Sequence, residues 1–244
     1  MCTVTFIPAG DRVFITHNRD EKRLRPPALA PAVHHVHGHT LLFPRDAQAG
    51  GSWIAANANG EAAVLLNGAF IKHETQPPYR KSRGLVLVDI MASDDGALSW
   101  QQADLSGIEP FTMILWSKGR LYEGRWDGRR KYTAEPDAAQ AHIWSSVTLY
   151  EEAVQHRRRQ WFARWRQQCP QPEPADILQY HLQGGEGDTR NDLRMNRNDV
   201  LLTVSITGMT LLPGECRMQY MDLQGDAVYA QDFLLTDNRL MFHE

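Results

Sequence analysis

Cys2 follows the initiator Met1 and opens an apolar run, Cys2-Thr3-Val4-Thr5-Phe6-Ile7. Removal of Met1 would leave a thiol and a free α-amine on one residue. A thiolate is a strong nucleophile, and an α-amine with a reference pKa of about 8 can act as its base. One residue would then supply both parts of a covalent catalyst. A second apolar run, Val13-Phe14-Ile15, leads into a compact polar cluster, His17-Asn18-Arg19-Asp20-Glu21. A guanidinium beside Cys2 can lower the thiol pKa or bind a substrate carboxylate, and a carboxylate can orient the amine. Each feature also has a plainer reading. A cysteine at position two can be an ordinary half-buried strand residue, and Asn-Arg-Asp-Glu can be a solvated turn with a local ion pair.

The elements that would position these groups are short strands. Residues 2–7 and 12–17 flank a turn, Pro8-Ala9-Gly10-Asp11, that suits a hairpin. Pairing them sets the start of the first strand beside the end of the second, so Cys2 and Arg19-Asp20 share a sheet edge. A second hairpin is expected from Trp53–Asn57 and Ala62–Asn67 across Ala58-Asn59-Gly60. Before it lies Gly50-Gly51-Ser52-Trp53, where paired glycines permit close approach to another chain segment or a ligand. The Asn67 amide could donate to a developing oxyanion, or Asn67-Gly68 could be only a turn.

Further strands are expected at 40–43, 111–116, 120–126, 142–146, 200–207, 217–222 and 227–235. Ser82 should cap a helix over 83–91, and a short helix should follow over 97–103. The clearest helix is 150–168, with Ala153, Trp161, Phe162 and Trp165 as its apolar stripe and Arg157-Arg158-Arg159 as a solvated face. Prolines 170, 172 and 174 end it and start another helix near 174–183. Strands, then helices, then strands again give α+β layers in one domain over 1–244.

Composition narrows the function classes. The chain has 244 residues, 42% hydrophobic and 23% charged, with a formal net charge of -3. That is ordinary for a soluble globular protein and argues against a general nucleic-acid surface. No apolar run reaches the length of a membrane span and no leader is evident, so a cytoplasmic location is expected. Three widely spaced cysteines, Cys2, Cys169 and Cys216, suggest neither a disulfide framework nor a zinc site. His34, His35, His37 and His39 are read as surface side chains. In one extended strand His35, His37 and His39 would share a face and could ligate a metal. Neither a metal nor a cofactor is expected.

Taken together, Met1-Cys2-Thr3-Val4, the block Asn18-Arg19-Asp20-Glu21, and Gly50-Gly51-Ser52-Trp53 with Asn67 beyond it resemble the NRDE family, also called the transport and Golgi organisation protein 2 family. That family is similar in arrangement to N-terminal nucleophile hydrolases with a cysteine nucleophile, such as bile-salt hydrolases and penicillin acylases. The resemblance implies a four-layer αββα sandwich of two mostly antiparallel sheets. It also implies Cys2, Arg19, Asp20 and Asn67 as catalytic groups, with Asn18, Glu21, Trp53, Ser146 and Arg217 contacting substrate. Ser146 stands where family members carry an asparagine, and Arg217 is the loose match to a late arginine. The implied activity is an N-terminal cysteine amidohydrolase or acyltransferase acting on a small non-peptide amide or acyl compound. The competing class is a non-catalytic carrier of lipid, acyl-CoA or haem on the same fold.

Overall fold

The computed structural model describes residues 2–236. The chain opens with a hairpin, β1 (Cys2–Ala9) and β2 (Arg12–Lys22), turning at Gly10, whose φ of 62° suits glycine. β3 (Leu29–Val36), β4 (His39–Arg45), β5 (Ile54–Asn57) and β6 (Ala62–Asn67) follow, then α1 (Arg83–Met91) and α2 (Gly96–Gln102). Next come β7 (Phe111–Ser117), β8 (Arg120–Trp126), β9 (Lys131–Ala134) and β10 (His142–Ser145). The helices α3 (Glu152–Gln168) and α4 (Pro174–Gln183) precede β11 (Asn196–Arg197), β12 (Leu201–Leu212), β13 (Glu215–Asp222) and β14 (Ala227–Leu234).

The strands form two seven-stranded sheets. The first runs β10-β1-β2-β12-β13-β14, with β11 also paired to β12; the second runs β3 to β9 in chain order. The pairings are antiparallel in both. Three apolar clusters define the layers. Val4, Phe6, Ile15, Met209 and Met218 of the first sheet meet Leu42, Ile54, Val64, Ile114 and Trp116 of the second. The second sheet turns its other face, through Leu41, Ala63 and Met113, to Leu87, Ile90 and Met91 of α1 and Trp100 of α2. The first sheet turns Ile7 and Phe14 to Phe162 of α3 and Ile177 and Tyr180 of α4. This is the expected αββα sandwich.

Period-two alternation along β2 decides which residues reach which layer. His17 and Arg19 face the second sheet, where His17 lies against Trp53 with ring centroids 6.5 Å apart. Asn18 and Asp20 face the helical layer, where they meet His181 and Tyr150. β12 keeps step through a bulge: Thr203 pairs with Asp20 and Ser205 with Arg19, so Val204 is the extra residue.

Three local expectations change. β12 runs on to Leu212 because its inner residues Met209 and Leu211 pack between the sheets. His37 and Gly38 make the β3–β4 turn with positive φ, so His35, His37 and His39 do not lie along one strand face. Arg158 is not on a solvated face. It is fully buried against the first sheet, donating to Thr3 Oγ1, to Asn191 O at 3.0 Å and to Asp192 O at 2.7 Å. No helix among the described residues is long and apolar enough to cross a membrane.

Candidate functional site

The β1–β2 register sets Cys2 directly opposite Arg19. Both line a cleft of about 410 Å³ that opens at the ends of the two sheets. Glu21, two residues beyond Arg19 on the same face, also lines it, as do Trp53 and Asn67 from the second sheet. The Asn67 side-chain amide makes no hydrogen bond within the described residues, so its donors remain open to the cleft. Five of the nine residues named from sequence therefore converge here.

The other four do not face the cleft. Asn18 lies on the opposite face of β2, and its amide donates to His181 O and Leu193 O at 3.0 and 2.7 Å. Its Oδ1 accepts from His181 Nδ1 at 2.6 Å, while Thr5 Oγ1 sits 2.8 Å from Nε2. A neutral imidazole with its proton on Nδ1 satisfies that set, so Asn18 bridges the first sheet to the helical layer and does not line the cleft. Asp20 shares this outer face. It accepts from Tyr150 Oη at 2.6 Å and Thr203 Oγ1 at 2.7 Å. Burial raises the Asp20 carboxyl above its ordinary value, and Arg158 and the Tyr150 hydroxyl oppose that rise. Ser146 is buried beside the cleft floor. Its N–H donates to Cys2 O at 2.9 Å and its hydroxyl to Asn67 O at 2.8 Å, so it braces both residues rather than lining the cavity. Arg217 lies on the outer face of β13, paired with Glu215 at 3.0 Å and away from the cleft. The residue stands on an exposed strand face, where solvent and that carboxylate hold it.

The thiol also departs from expectation. Burial raises the Cys2 pKa, Asp20 raises it further, and the lowering by Arg19 is weak. The reason is visible in the partners of Arg19. Its guanidinium is paired to Asp46 and stacks on Trp53 with Cζ 4.3 Å from the ring centroid. Arg25 reaches the same Asp46 oxygen at 2.9 Å. Burial alone would raise the Asp46 carboxyl, but the Ala49 N–H, Arg19 and Arg25 together pull it below its ordinary value. Cys216 is buried as well, and burial pushes its thiol far up. Met1, whose removal the amine mechanism requires, lies outside the described residues.

Sequence reasoning missed the far wall. The Gly50-Gly51 pair serves a close approach to α1: Ser52 N–H donates to Gly84 O at 3.2 Å, and a Cβ at Gly51 would overlap the Gly84 carbonyl. This contact brings Ser82, Arg83 and Gly84 to the cleft. Ser82 caps α1 as expected, its hydroxyl accepting from Leu85 N–H at 3.3 Å. Arg83 pairs with Glu109 at 3.0 Å, and Glu109 also meets His73 Nε2 at 3.1 Å. His17 was likewise passed over. It is fully buried behind Trp53, neither ring nitrogen makes a well-formed hydrogen bond among the described residues, and the Leu65 backbone is near enough to favour its charged form.

The family model described as transport and Golgi organisation 2 matches residues 1–167. The chain belongs to the transport and Golgi organisation 2 family. No curated protein matches it by sequence. Among solved structures, the penicillin V acylase from Agrobacterium tumefaciens superposes with a TM-score of 0.62 at 10% identity, covering 96% of this chain and 86% of that one. A C2A mutant of the conjugated bile acid hydrolase from Clostridium perfringens gives 0.57 at 10% identity, over 99% and 100% of the two chains. The Caenorhabditis elegans ortholog of N-acylethanolamine-hydrolyzing acid amidase gives 0.57 at 12% identity, over 85% and 92%. This family member thus has the fold of N-terminal nucleophile acylases and amidases.

Proposed function

We propose that this protein, acting as a single domain, is an N-terminal cysteine amidohydrolase for a small non-peptide amide or acyl compound. The observation that carries the reading is Cys2 at the inner end of a cleft of small-molecule size, with the open amide of Asn67 on the facing sheet. Once Met1 is removed, the Cys2 α-amine takes the thiol proton and the sulfur attacks the substrate carbonyl carbon. Asn67 donates to the oxyanion. The C–N bond then breaks, the leaving amine takes the proton from the α-ammonium, and water cleaves the resulting thioester. Asp20, one residue beyond the partner of Cys2 on β2, orients the α-amine from the outer face of the sheet. Burial raises the Cys2 pKa, so the resting thiol carries the proton that the amine is there to take.

The carrier reading has less support. Seven of the residues lining the cleft are charged: Arg19, Glu21, Arg25, Asp46, Lys81, Arg83 and Glu109. Such a wall is a poor host for a lipid chain or a porphyrin.

Intact-mass measurement of the purified protein comes first, and loss of Met1 is expected. A panel of small N-acyl compounds should then release free amine with the wild type and not with Cys2→Ala. Processed wild-type protein that hydrolyses no member of the panel, with a Cys2 no more reactive than free cysteine, would defeat the reading.

A further inference from the structure

We infer that the substrate carries a carboxylate, and that Arg83 is the residue that binds it. This deepens the hydrolase reading above and rests on it. Four cations line the cleft, and they differ in what they already hold. Arg19 and Arg25 converge on Asp46, and Lys81 is paired with Asp89. Arg83 is held by Glu109 at 3.0 Å through one terminal nitrogen and by Pro110 O at 3.2 Å through the other. A guanidinium has five N–H groups fixed in one plane, so donors remain after those two bonds. Glu109 for its part is shared with His73.

The position suits recognition at a distance from the reacting bond. Arg83 enters from α1 on the sheet opposite Cys2, and it is within electrostatic reach of the Cys2 sulfur. Its side chain is 18% exposed, and it is anchored at both terminal nitrogens. A held arginine loses little side-chain entropy on binding and presents a planar fork to a planar carboxylate. Three carboxylates, Glu21, Asp46 and Glu109, stand in the same cleft. They would repel a dianion such as phosphate more strongly than a monoanion, which favours a carboxylate over a phosphoryl group.

Two alkylating reagents of similar size test this without knowledge of the substrate. Iodoacetate carries a carboxylate and iodoacetamide is neutral. Both rates are measured at Cys2 by peptide mapping and each is divided by the rate of free cysteine. In the wild type the normalised iodoacetate rate should exceed the iodoacetamide rate on the order of tenfold, as expected for a charge-assisted contact. Arg83→Gln should lower the iodoacetate rate far more than the iodoacetamide rate, and Arg83→Lys should restore part of the preference. Should Arg83→Gln fail to fold, protection of wild-type Cys2 against iodoacetamide supplies the same answer: propionate should protect and propionamide should not. Normal iodoacetamide labelling with no preference for iodoacetate overturns the carboxylate and leaves the hydrolase reading intact. A preference that survives in Arg83→Gln overturns the assignment to Arg83, and phosphate protecting as well as propionate overturns the choice of carboxylate. Absence of labelling by either reagent removes the nucleophile and overturns both readings together.

Discussion

Arg19 stands directly across the β1–β2 ladder from Cys2, yet its guanidinium is committed to Asp46. Proximity of a cation to a thiol is therefore not activation in this site. The Arg19 and Asp46 side chains are 8% and 11% exposed, so solvent screens little of their mutual attraction. What reaches the sulfur is a nearly neutral pair.

Asp46→Asn should expose this. With the carboxylate gone, Arg19 acts on Cys2 uncompensated, and the thiol pKa should fall by roughly one unit. The pH profile of iodoacetamide labelling at Cys2 is the measurement. Stability should drop by about 3 kcal/mol, because breaking a buried pair strands its partner. The wild type carries the opposite sign in acid. Asp46 has a folded pKa below its ordinary value, so its stabilisation is present above the ordinary carboxylate range and is lost as pH falls through the lowered value. Denaturant midpoints between pH 5 and pH 2 should fall less in Asp46→Asn than in the wild type.

Buried histidines set a second acid limit. Burial, then Arg158, hold His181 down to about 3, and burial holds His17 well below its ordinary value. The unfolded chain takes up protons near pH 6.5 while the folded chain does not. Stability is then complete above that pH and is lost as pH falls from about 6.5 toward about 3. Each histidine contributes a slope of up to roughly 1.4 kcal/mol per pH unit. Urea unfolding at pH 7, 6 and 5 should show the decline, and His17→Phe should make it shallower. An equal slope in that variant would mean that His17 takes up its proton in the fold at the same pH as in the unfolded chain.

Arg158 should behave as a buried structural cation. Its guanidinium lies 3.6 Å over the Tyr150 ring, ties Asn191 and Asp192 to β1, and offsets the charge of Asp20. Arg158→Ala should cost about 3–5 kcal/mol by equilibrium unfolding, since it leaves buried acceptors and a buried carboxylate without a partner. A loss under 1 kcal/mol would return Arg158 to the solvated face.

Gly51→Ala tests the wall that carries Arg83. The new methyl would overlap the Gly84 carbonyl, and the same crossing sets a Cβ at Gly84 2.8 Å from Ser52 O. Backbone must move, at a cost of roughly 1–3 kcal/mol. The thermal midpoint should fall, and iodoacetate labelling of Cys2 should fall with it because α1 carries Arg83 away.

The strands and their pairing were legible because the chemistry is local. Gly10-Asp11 and Asn59-Gly60 mark tight turns between alternating runs, and that is enough to put Cys2 opposite Arg19 and Ile54 opposite Val64. The cap at Ser82 was legible for the same reason. The cleft was only half legible, and the missing half is all long-range. Nothing near Arg83 in sequence announces Glu109, and nothing near Asp46 announces Arg19. Arg158 was misread because a run of three arginines looks like solvated surface. Yet 158 is spaced three and four from Trp161 and Phe162, which places it on the buried side of α3. Asn18 and Asp20 are next to Arg19 in sequence but not on its face, because a strand sends neighbours to opposite sides, so Asp20 can reach Cys2 only from the outer face.

The bulge at Val204 makes residue count in this region a functional quantity. In a strand without the bulge, Thr203 and Ser205 stand two apart and would share one face, while their partners Asp20 and Arg19 point to two. Holding Val204 out of the ladder lets Thr203 meet Asp20 on the outer face while Ser205 follows Arg19 on the inner one, and one further residue here would turn one of them to the wrong side. Across relatives, single-residue insertions should therefore gather in the surface turns and spare this one position, even where its side chain is free to vary.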